Sequence, residues 1–372
     1  MYGLQLTARR VADDREVEWR LERSEVKRPG PDEVVVRVDA APIHPTDMFS
    51  MFGFTDVRDM TFMTHEHGHA LRLPIPANLA RRGRNELNAG SEGTGIVVDS
   101  GSASRHLIGQ RVAGWGGGWY SEYRTLPAAE CISLSAQTTA EQAAASCVNP
   151  LTALGIVKTL QREGHSALAH TAAASTLGQM LNRLCLKDGV PLVNIVRNSD
   201  QARILLDAGA TYVCDTTAAN FEQNLRKALG DTGATIAFDA VGGGRLAHQI
   251  LSAMPGQFSV ESRTDRFVAE KRVYLYGALD TGPTEVYRGY SPSWSVGGWV
   301  VQRFLQQIGP EEQKALHQRV ADEITTTFAT NYAASIPLTE ILSESAVLDY
   351  TKRSTGGKYI VLVGDSSSTQ SG

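Results

Sequence analysis

The chain has 372 residues, 42% of them hydrophobic and 20% charged, with a formal net charge of −4. These values fit a soluble globular protein of one large or two ordinary domains and offer no polybasic face for a nucleic acid. The four cysteines, Cys131, Cys147, Cys185 and Cys214, form no CxxC pair, which excludes a zinc ribbon or a disulfide framework and suits a reducing cytosol. The start, Met1-Tyr2-Gly3-Leu4-Gln5-Leu6, lacks the basic-then-apolar pattern of a secretion signal, and no apolar run has the roughly 18 residues of a membrane span. The reading is therefore a cytoplasmic protein without nucleic-acid or membrane partners.

The first part of the chain reads as β-rich. Glu33–Ala40 is a strand entered through the turn Pro29-Gly30-Pro31, and residues 95–98 and 110–114 are further strands. Many short strands with Gly-rich turns suggest a barrel-like or sandwich-like domain. Residues 53–90 read as one long irregular segment, a lid or an insertion, containing the basic run Arg81-Arg82-Gly83-Arg84 and the histidines of His65-Glu66-His67-Gly68-His69. The basic run is expected to be a solvated loop. In an extended strand alternate residues share a face, so His65, His67 and His69 either converge on a metal or form a polar lid.

From about Pro150 strands and helices alternate. Residues 166–171, 191–197, 211–214, 235–239 and 272–276 read as strands, and 177–187, 200–208 and 221–229 as helices, closed by Gly209 and Gly230 in the last two. Asp200 is expected to cap the helix it opens. This rhythm implies a doubly wound parallel sheet. The polar tail 366–372 is expected to be disordered.

The strand ending at Thr171 runs into Ala172-Ala173-Ala174-Ser175-Thr176-Leu177-Gly178 and a helix. That is the place of the dinucleotide fingerprint GxGxxG, read here as AxSxxG with Ala173, Ser175 and Gly178 on the glycine positions. A small-residue turn without a ligand would look the same. The next strand ends at Val196-Arg197-Asn198, about 20 residues on, where an NAD enzyme places an acidic residue for the ribose 2′-hydroxyl. Arg197 would instead pair with a 2′-phosphate, which favours NADPH; its alternative is a solvated strand end.

At this point the chain resembles the medium-chain dehydrogenase/reductase superfamily, in its zinc-independent NADPH:quinone oxidoreductase and enoyl reductase branch. The run Leu192–Asn198 with Gln201 and Ala208-Gly209-Ala210 carries the resemblance. So do Gly30–Val38 leading into Ile43-His44-Pro45-Thr46-Asp47, similar to the family's INPSD, and Gly90-Ser91-Glu92-Gly93-Thr94-Gly95-Ile96-Val97, similar to GxEGxGxV. Asn149-Pro150-Leu151-Thr152-Ala153, Phe238-Asp239-Ala240-Val241-Gly242-Gly243 and Gly357-Lys358 complete a series in family order over about residues 1–365.

The resemblance implies an α/β protein with a GroES-like β-rich catalytic domain, residues 1–149 and 310–372, and a Rossmann cofactor domain, residues 150–309, with the active site in the cleft. It implies a homodimer joined through Rossmann sheet edges, for which Val273–Leu275 is the expected strand. It also implies, position by position, that Thr152, Ser175, Thr176, Leu177, Arg197, Asn198, Val241, Tyr276, Gly277, Ala278 and Lys358 hold NADPH. His44, Asn149 and Thr152 are the implied catalytic and positioning residues; His44 alternatively is a structural histidine. Zinc relatives carry Cys, His and a further Cys or Asp as ligands. The matching positions here hold His44, Ser91 and roughly Val148, beside Cys147, so no zinc is expected.

The tyrosine that enoyl reductases of this branch carry after the INPSD element is Thr55 here, flanked by Phe54 and Asp56. Tyr120 and Tyr123 are possible replacement hydroxyls. Phe49, Phe52 and Phe54, with Trp294 and Trp299, suit an apolar or aromatic small molecule or serve the core. Three functions follow: reduction of a quinone or α,β-unsaturated carbonyl, a 2-enoyl thioester reductase, or a catalytically inactive NADPH-binding sensor or scaffold.

Overall fold

In a computed structural model of the chain, residues 1–11, 15–75, 89–255, 270–291, 293–352 and 357–364 are described. The chain divides into two compact units, Met1–Val148 with His317–Gly372, and Asn149–Leu316. The basic run at 81–84 and the tail at 366–372 lie outside the described residues.

The first unit is β-rich. Its larger sheet runs in the order Ala334–Pro337, Tyr359–Leu362, Glu33–Pro42, Glu92–Ser100, Arg111–Trp115, Cys131–Ser133, and Tyr123–Pro127 also pairs with Glu33–Pro42. Strand Glu33–Pro42 is the hub because its Val34, Val35, Val36 and Val38 are all buried. β-branched residues favour an extended backbone and pack on both faces of such a strand. The strand Tyr359–Leu362 near the end of the chain pairs antiparallel with residues 40–42 of this hub, so the last segment completes the same sheet.

A second sheet has the order Tyr2–Val11, Glu16–Glu25, Gly68–Pro74, Thr61–His65. The segment read as irregular from sequence thus contains a hairpin, with His65 opposite Gly68. Its strand Gly68–Pro74 adds to Glu16–Glu25, a partner some 50 residues away in sequence (Trp19 faces Leu71 across the pair), so no local pattern announces it. Gly68 has a φ of 122°, and a Cβ there would lie 2.2 Å from Thr339 O, which fixes glycine at this turn. Trp19 donates its indole N–H to Met51 O at 2.9 Å and ties this sheet to the helix Pro45–Phe52 over a core of Leu21, Leu71, Leu73, Met51 and Phe52.

The second unit is a six-stranded parallel sheet in the order Tyr212–Asp215, Leu192–Val196, Leu168–His170, Ile236–Asp239, Lys271–Leu275, Trp294–Gly298. Leu192–Val196 and Ile236–Asp239 are buried along their whole length, as strands covered on both faces must be. This is the doubly wound Rossmann order, and the direction of winding reverses between Leu168–His170 and Ile236–Asp239.

Three details depart from the sequence reading. Lys271–Leu275, expected at the sheet edge, is an inner strand, because Trp294–Gly298 pairs outside it. The Ser- and Gly-rich composition of that outer strand hid it. Helix Phe221–Thr232 runs through Gly230 and is closed by Gly233 at φ 70°, since a glycine in right-handed conformation weakens a helix without ending it. Helix Ser199–Asp207 is capped by Asn198, whose carboxamide oxygen accepts from Gln201 N at 2.9 Å, rather than by Asp200. Gly209 follows its end with φ 84°, as the sequence suggested.

Candidate active site

In the parallel-sheet unit, strand Leu168–His170 ends in a tight turn and the helix Thr176–Asp188. Ala172 is the one non-glycine at positive φ among the described residues, at 49°. Ser175 N–H donates back to Ala172 O at 2.9 Å, and Ser175 Oγ caps the helix by accepting from Gly178 N at 3.1 Å. A Cβ on Gly178 would lie 2.2 Å from Ala173 O, so only glycine lets the helix seat against the turn. That is the packing task of the last glycine in a dinucleotide fingerprint. Ser175 is exposed, with Thr176 and Leu177 half-buried, so the helix start opens outward.

At the reversal point Thr171 and Asp239 lock the two central strands together. Thr171 Oγ1 donates to Asp239 Oδ1 at 2.6 Å and accepts from Ala240 N at 2.8 Å. Asp239 also accepts from Val241 N at 2.8 Å and Gly242 N at 3.3 Å, which fixes the turn that presents Val241. Asp239 was visible in the sequence only as part of a landmark; its role is set by this turn. Gly277 and Ala278 pass so close to that turn that a Cβ on Gly277 would lie 2.4 Å from Ala240 O. Tyr276 turns its hydroxyl inward to His170 Nε2 at 2.7 Å, with the rings stacked 5.8 Å apart. Burial drives His170 down to about 3, so its ring is neutral, and pushes the Tyr276 phenol far up.

Arg197 stands exposed at the end of Leu192–Val196, with no ion pair among the described residues. Its N–H donates to Gln201 Oε1 at 3.0 Å, so the Arg197–Gln201 turn is held while the guanidinium stays available. Asn149 and Thr152 are buried on the first turns of the helix Val148–Arg162. Trp299 is committed to packing: its N–H donates to Thr159 Oγ1 at 3.1 Å, and its ring meets Phe238 edge-on at 5.6 Å.

In the β-rich unit, His44 caps the helix Pro45–Phe52 and is buried. Its Nε2 lies 2.5 Å from Glu92 Oε1, and Lys358 Nζ is 3.5 Å from the same nitrogen. Glu92 is fully buried on strand Glu92–Ser100, and its Oε2 accepts from Cys147 N at 2.7 Å and Val148 N at 2.8 Å. Burial alone would raise the Glu92 carboxyl, but His44, Lys358 and the Val148 N–H outweigh it and hold the group ionised. Burial brings the Lys358 ammonium down to about 8 against the opposing pull of Glu92 and Asp47.

Asp47 lies one helical turn from His44. It accepts from His44 N at 2.9 Å, and from Ser91 N at 2.8 Å and Ser91 Oγ at 2.5 Å on its other oxygen. Two of the positions that match zinc ligands are therefore engaged by other side chains: His44 by Glu92, with the Lys358 ammonium close by, and Ser91 by Asp47. Tyr120 donates to Pro42 O at 3.1 Å within the core. Burial, with Asp47 next in effect, keeps its phenol un-ionised.

His65 and His67 lie 6.2 Å apart edge-on, while His69 pairs with Glu340 at 3.1 Å. Among the described residues no three His, Cys, Asp or Glu side chains are grouped to hold a metal ion. One turn beyond His44, a recess of about 330 Å³ is lined by Met48, Phe52, Phe54, Val57 and Met60 together with the polar Thr55, Asp56 and Thr351. Phe49 packs on Phe54 at its rim, 5.0 Å apart. His44 and Lys358 stand out separately in the sequence; only the fold shows that Glu92 joins them.

The family model of the alcohol dehydrogenase GroES-like domain matches residues 30–136. Among curated proteins the chain is 28% identical over 220 residues to the synaptic vesicle membrane protein VAT-1 homolog of Rattus norvegicus, covering 58% of this chain and 48% of that protein. It is 29% identical over 157 residues to quinone oxidoreductase 1 of Escherichia coli (strain K12), covering 41% and 48%. The chain thus spans about half the length of the curated relatives it matches. A solved structure assigned as an NADPH:quinone reductase of Mesorhizobium loti superposes with a TM-score of 0.72 at 25% identity, covering 98% of both chains. The Escherichia coli quinone oxidoreductase in complex with NADPH superposes at 0.70 with 18% identity over 97% of this chain and 100% of that one, a likeness of fold.

Proposed function

We propose, from the premise that this chain belongs to the medium-chain dehydrogenase/reductase superfamily, that it is an NADPH-dependent reductase of a quinone or α,β-unsaturated carbonyl that works without zinc. One observation carries the reading: a strand–turn–helix seated by Gly178, followed at the end of the next strand by Arg197, which is exposed and makes no ion pair among the described residues. The residues present fit the cofactor. The exposed start of helix Thr176–Asp188 offers N–H donors and a positive dipole end to a pyrophosphate. Arg197, with Asn198 beside it, meets a 2′-phosphate. Val241 and Tyr276–Ala278 form a shelf at the ends of adjacent strands.

When bound, NADPH supplies the hydride. The protein then has to orient the acceptor and answer the negative charge that develops on its oxygen. In this reading Thr152 and Asn149 position the nicotinamide end, and the β-rich unit's centre at His44 answers the charge on the acceptor oxygen. Zinc independence is supported by chemistry at the matching positions, since the Lys358 ammonium beside His44 Nε2 repels a cation and Ser91 is spent on Asp47. The recess, with Met48, Phe52 and Met60 on one side and Thr55, Asp56 and Thr351 on the other, has room for a small acceptor that carries both a carbon framework and polar oxygens. A homodimer joined along the outer strand Trp294–Gly298, located in the cytoplasm, belongs to the same reading. No described helix is long and apolar enough to cross a membrane.

A second reading, 2-enoyl thioester reduction, draws on likeness to proteins such as the mitochondrial enoyl-[acyl-carrier-protein] reductase of Xenopus tropicalis, 26% identical over 220 residues. Thr55 in the recess, where the branch carries tyrosine, weighs against it. The test is NADPH oxidation against matched quinones, enones and enoyl thioesters. Turnover of quinones or enones well above thioesters supports the first reading, and the reverse order supports the second. NADPH binding with no turnover of any acceptor would leave the inactive sensor.

A further inference from the structure

We propose that Glu92, His44 and Lys358 act as one proton-delivery unit, in which Lys358 gives the proton to the reduced acceptor and Glu92, through the His44 ring, positions it. The inference rests on the reductase reading and deepens it. Thr55 lacks the acidity of the tyrosine it replaces, Tyr120 is spent on Pro42 O, and some other group must neutralise the product oxyanion.

The geometry singles out this trio. The Glu92 carboxylate is held from behind by two backbone N–H groups and cannot swing away. At 2.5 Å from an ionised carboxylate, His44 Nε2 must carry the hydrogen, so the ring is a donor to Glu92. Its Nε2 has no free lone pair for Lys358, and the 3.5 Å approach is one of charge to the Glu92–His44 pair rather than a hydrogen bond used up by it. The ammonium therefore keeps protons to give. The other groups facing this centre are Asp47 on the His44 helix, Tyr120, Cys147 and Tyr332. Asp47 is saturated by Ser91 and the His44 N–H, and burial keeps both phenols and the Cys147 thiol neutral. Lys358 is left as the group that changes charge near neutrality.

The step balances simply. Two electrons and one hydrogen pass as hydride to the acceptor carbon or oxygen. The resulting enolate or quinol oxyanion takes one proton from Lys358 Nζ, leaving a neutral amine that solvent reprotonates. The single net charge lost from the centre is the ammonium's.

The experiment has two independent arms. In steady-state turnover, wild-type kcat should fall as pH rises through about 8. Lys358→Arg keeps the positive charge but cannot release a proton, so kcat should drop roughly 100-fold and the falling limb at about 8 should disappear. Glu92→Gln removes a charge that favours the ammonium, so the falling limb should move to lower pH. In the second arm, NMR on cofactor-free protein reads the His44 tautomer and the Lys358 titration directly. The proposal expects the Nε2–H form and a lysine titrating near 8, lower still in Glu92→Gln. A Lys358 that titrates like an ordinary lysine, or a Lys358→Arg enzyme with unchanged kcat and pH limb, would overturn it. Failure of the reductase reading alone would show differently, as absent turnover with the NMR titrations intact.

Discussion

The two units solve the problem of a polar site in opposite ways. The β-rich unit concentrates charge: Glu92, His44, Asp47 and Lys358 are held by one another and by backbone N–H groups. The parallel-sheet unit concentrates shape: Ala172, Ala173, Ser175 and Gly178 form a turn with no ionised group in it, and the charge proposed to meet the cofactor, Arg197, stands outside in solvent. The difference teaches which substitutions each region tolerates. The charged centre of the first should lose stability when a charge is removed, and the turn of the second when volume is added, while removal of the Arg197 charge should leave the fold's stability unchanged.

The largest effect is expected where charge is buried. Glu92→Ala leaves the His44 N–H and two backbone donors without an acceptor, and should cost about 3–5 kcal/mol, measured by urea unfolding. Next comes the neutral His170. Its folded value is far below the ordinary one, so the unfolded chain binds the extra proton between roughly pH 6.5 and about 3. Its contribution is therefore complete above the ordinary histidine value and is lost as pH falls through that window. His170→Gln should flatten the decline in thermal stability there by about 1–3 kcal/mol, below the full burial penalty because local opening relieves it.

Gly178→Ala tests the shape side. One methyl group forced against Ala173 O should cost about 1–3 kcal/mol and weaken NADPH binding more than tenfold. A tolerated alanine would break the comparison. The smallest effect is Ser175→Ala, which removes a helix cap and should cost about 1 kcal/mol, visible as a lowered urea midpoint.

Legibility in the sequence followed the same divide. The turn at Ala172–Gly178, the buried strand Leu192–Val196 and Arg197 were readable because shape is encoded locally, by small residues and apolar runs of fixed spacing. The charged centre was not. Lys358 and His44 are 314 residues apart, and Glu92 stands among glycines like any landmark residue, so nothing local links them. The hairpin Thr61–Pro74 escaped for a related reason: its identity depends on pairing with Glu16–Glu25 and on Gly68 fitting against Thr339. The edge strand Trp294–Gly298 has a single β-branched residue, Val296, between a serine and two glycines, and was missed with it.

The most direct test is fluorescence titration of NADPH and NADH with the wild-type protein and Arg197→Ala. The account predicts that NADPH binds at least tenfold more tightly than NADH, that the mutant loses this preference, and that its unfolding midpoint is unchanged, since the exposed guanidinium makes no ion pair among the described residues. Equal affinity for the two nucleotides in the wild type, or a preference that survives in Arg197→Ala, would contradict it.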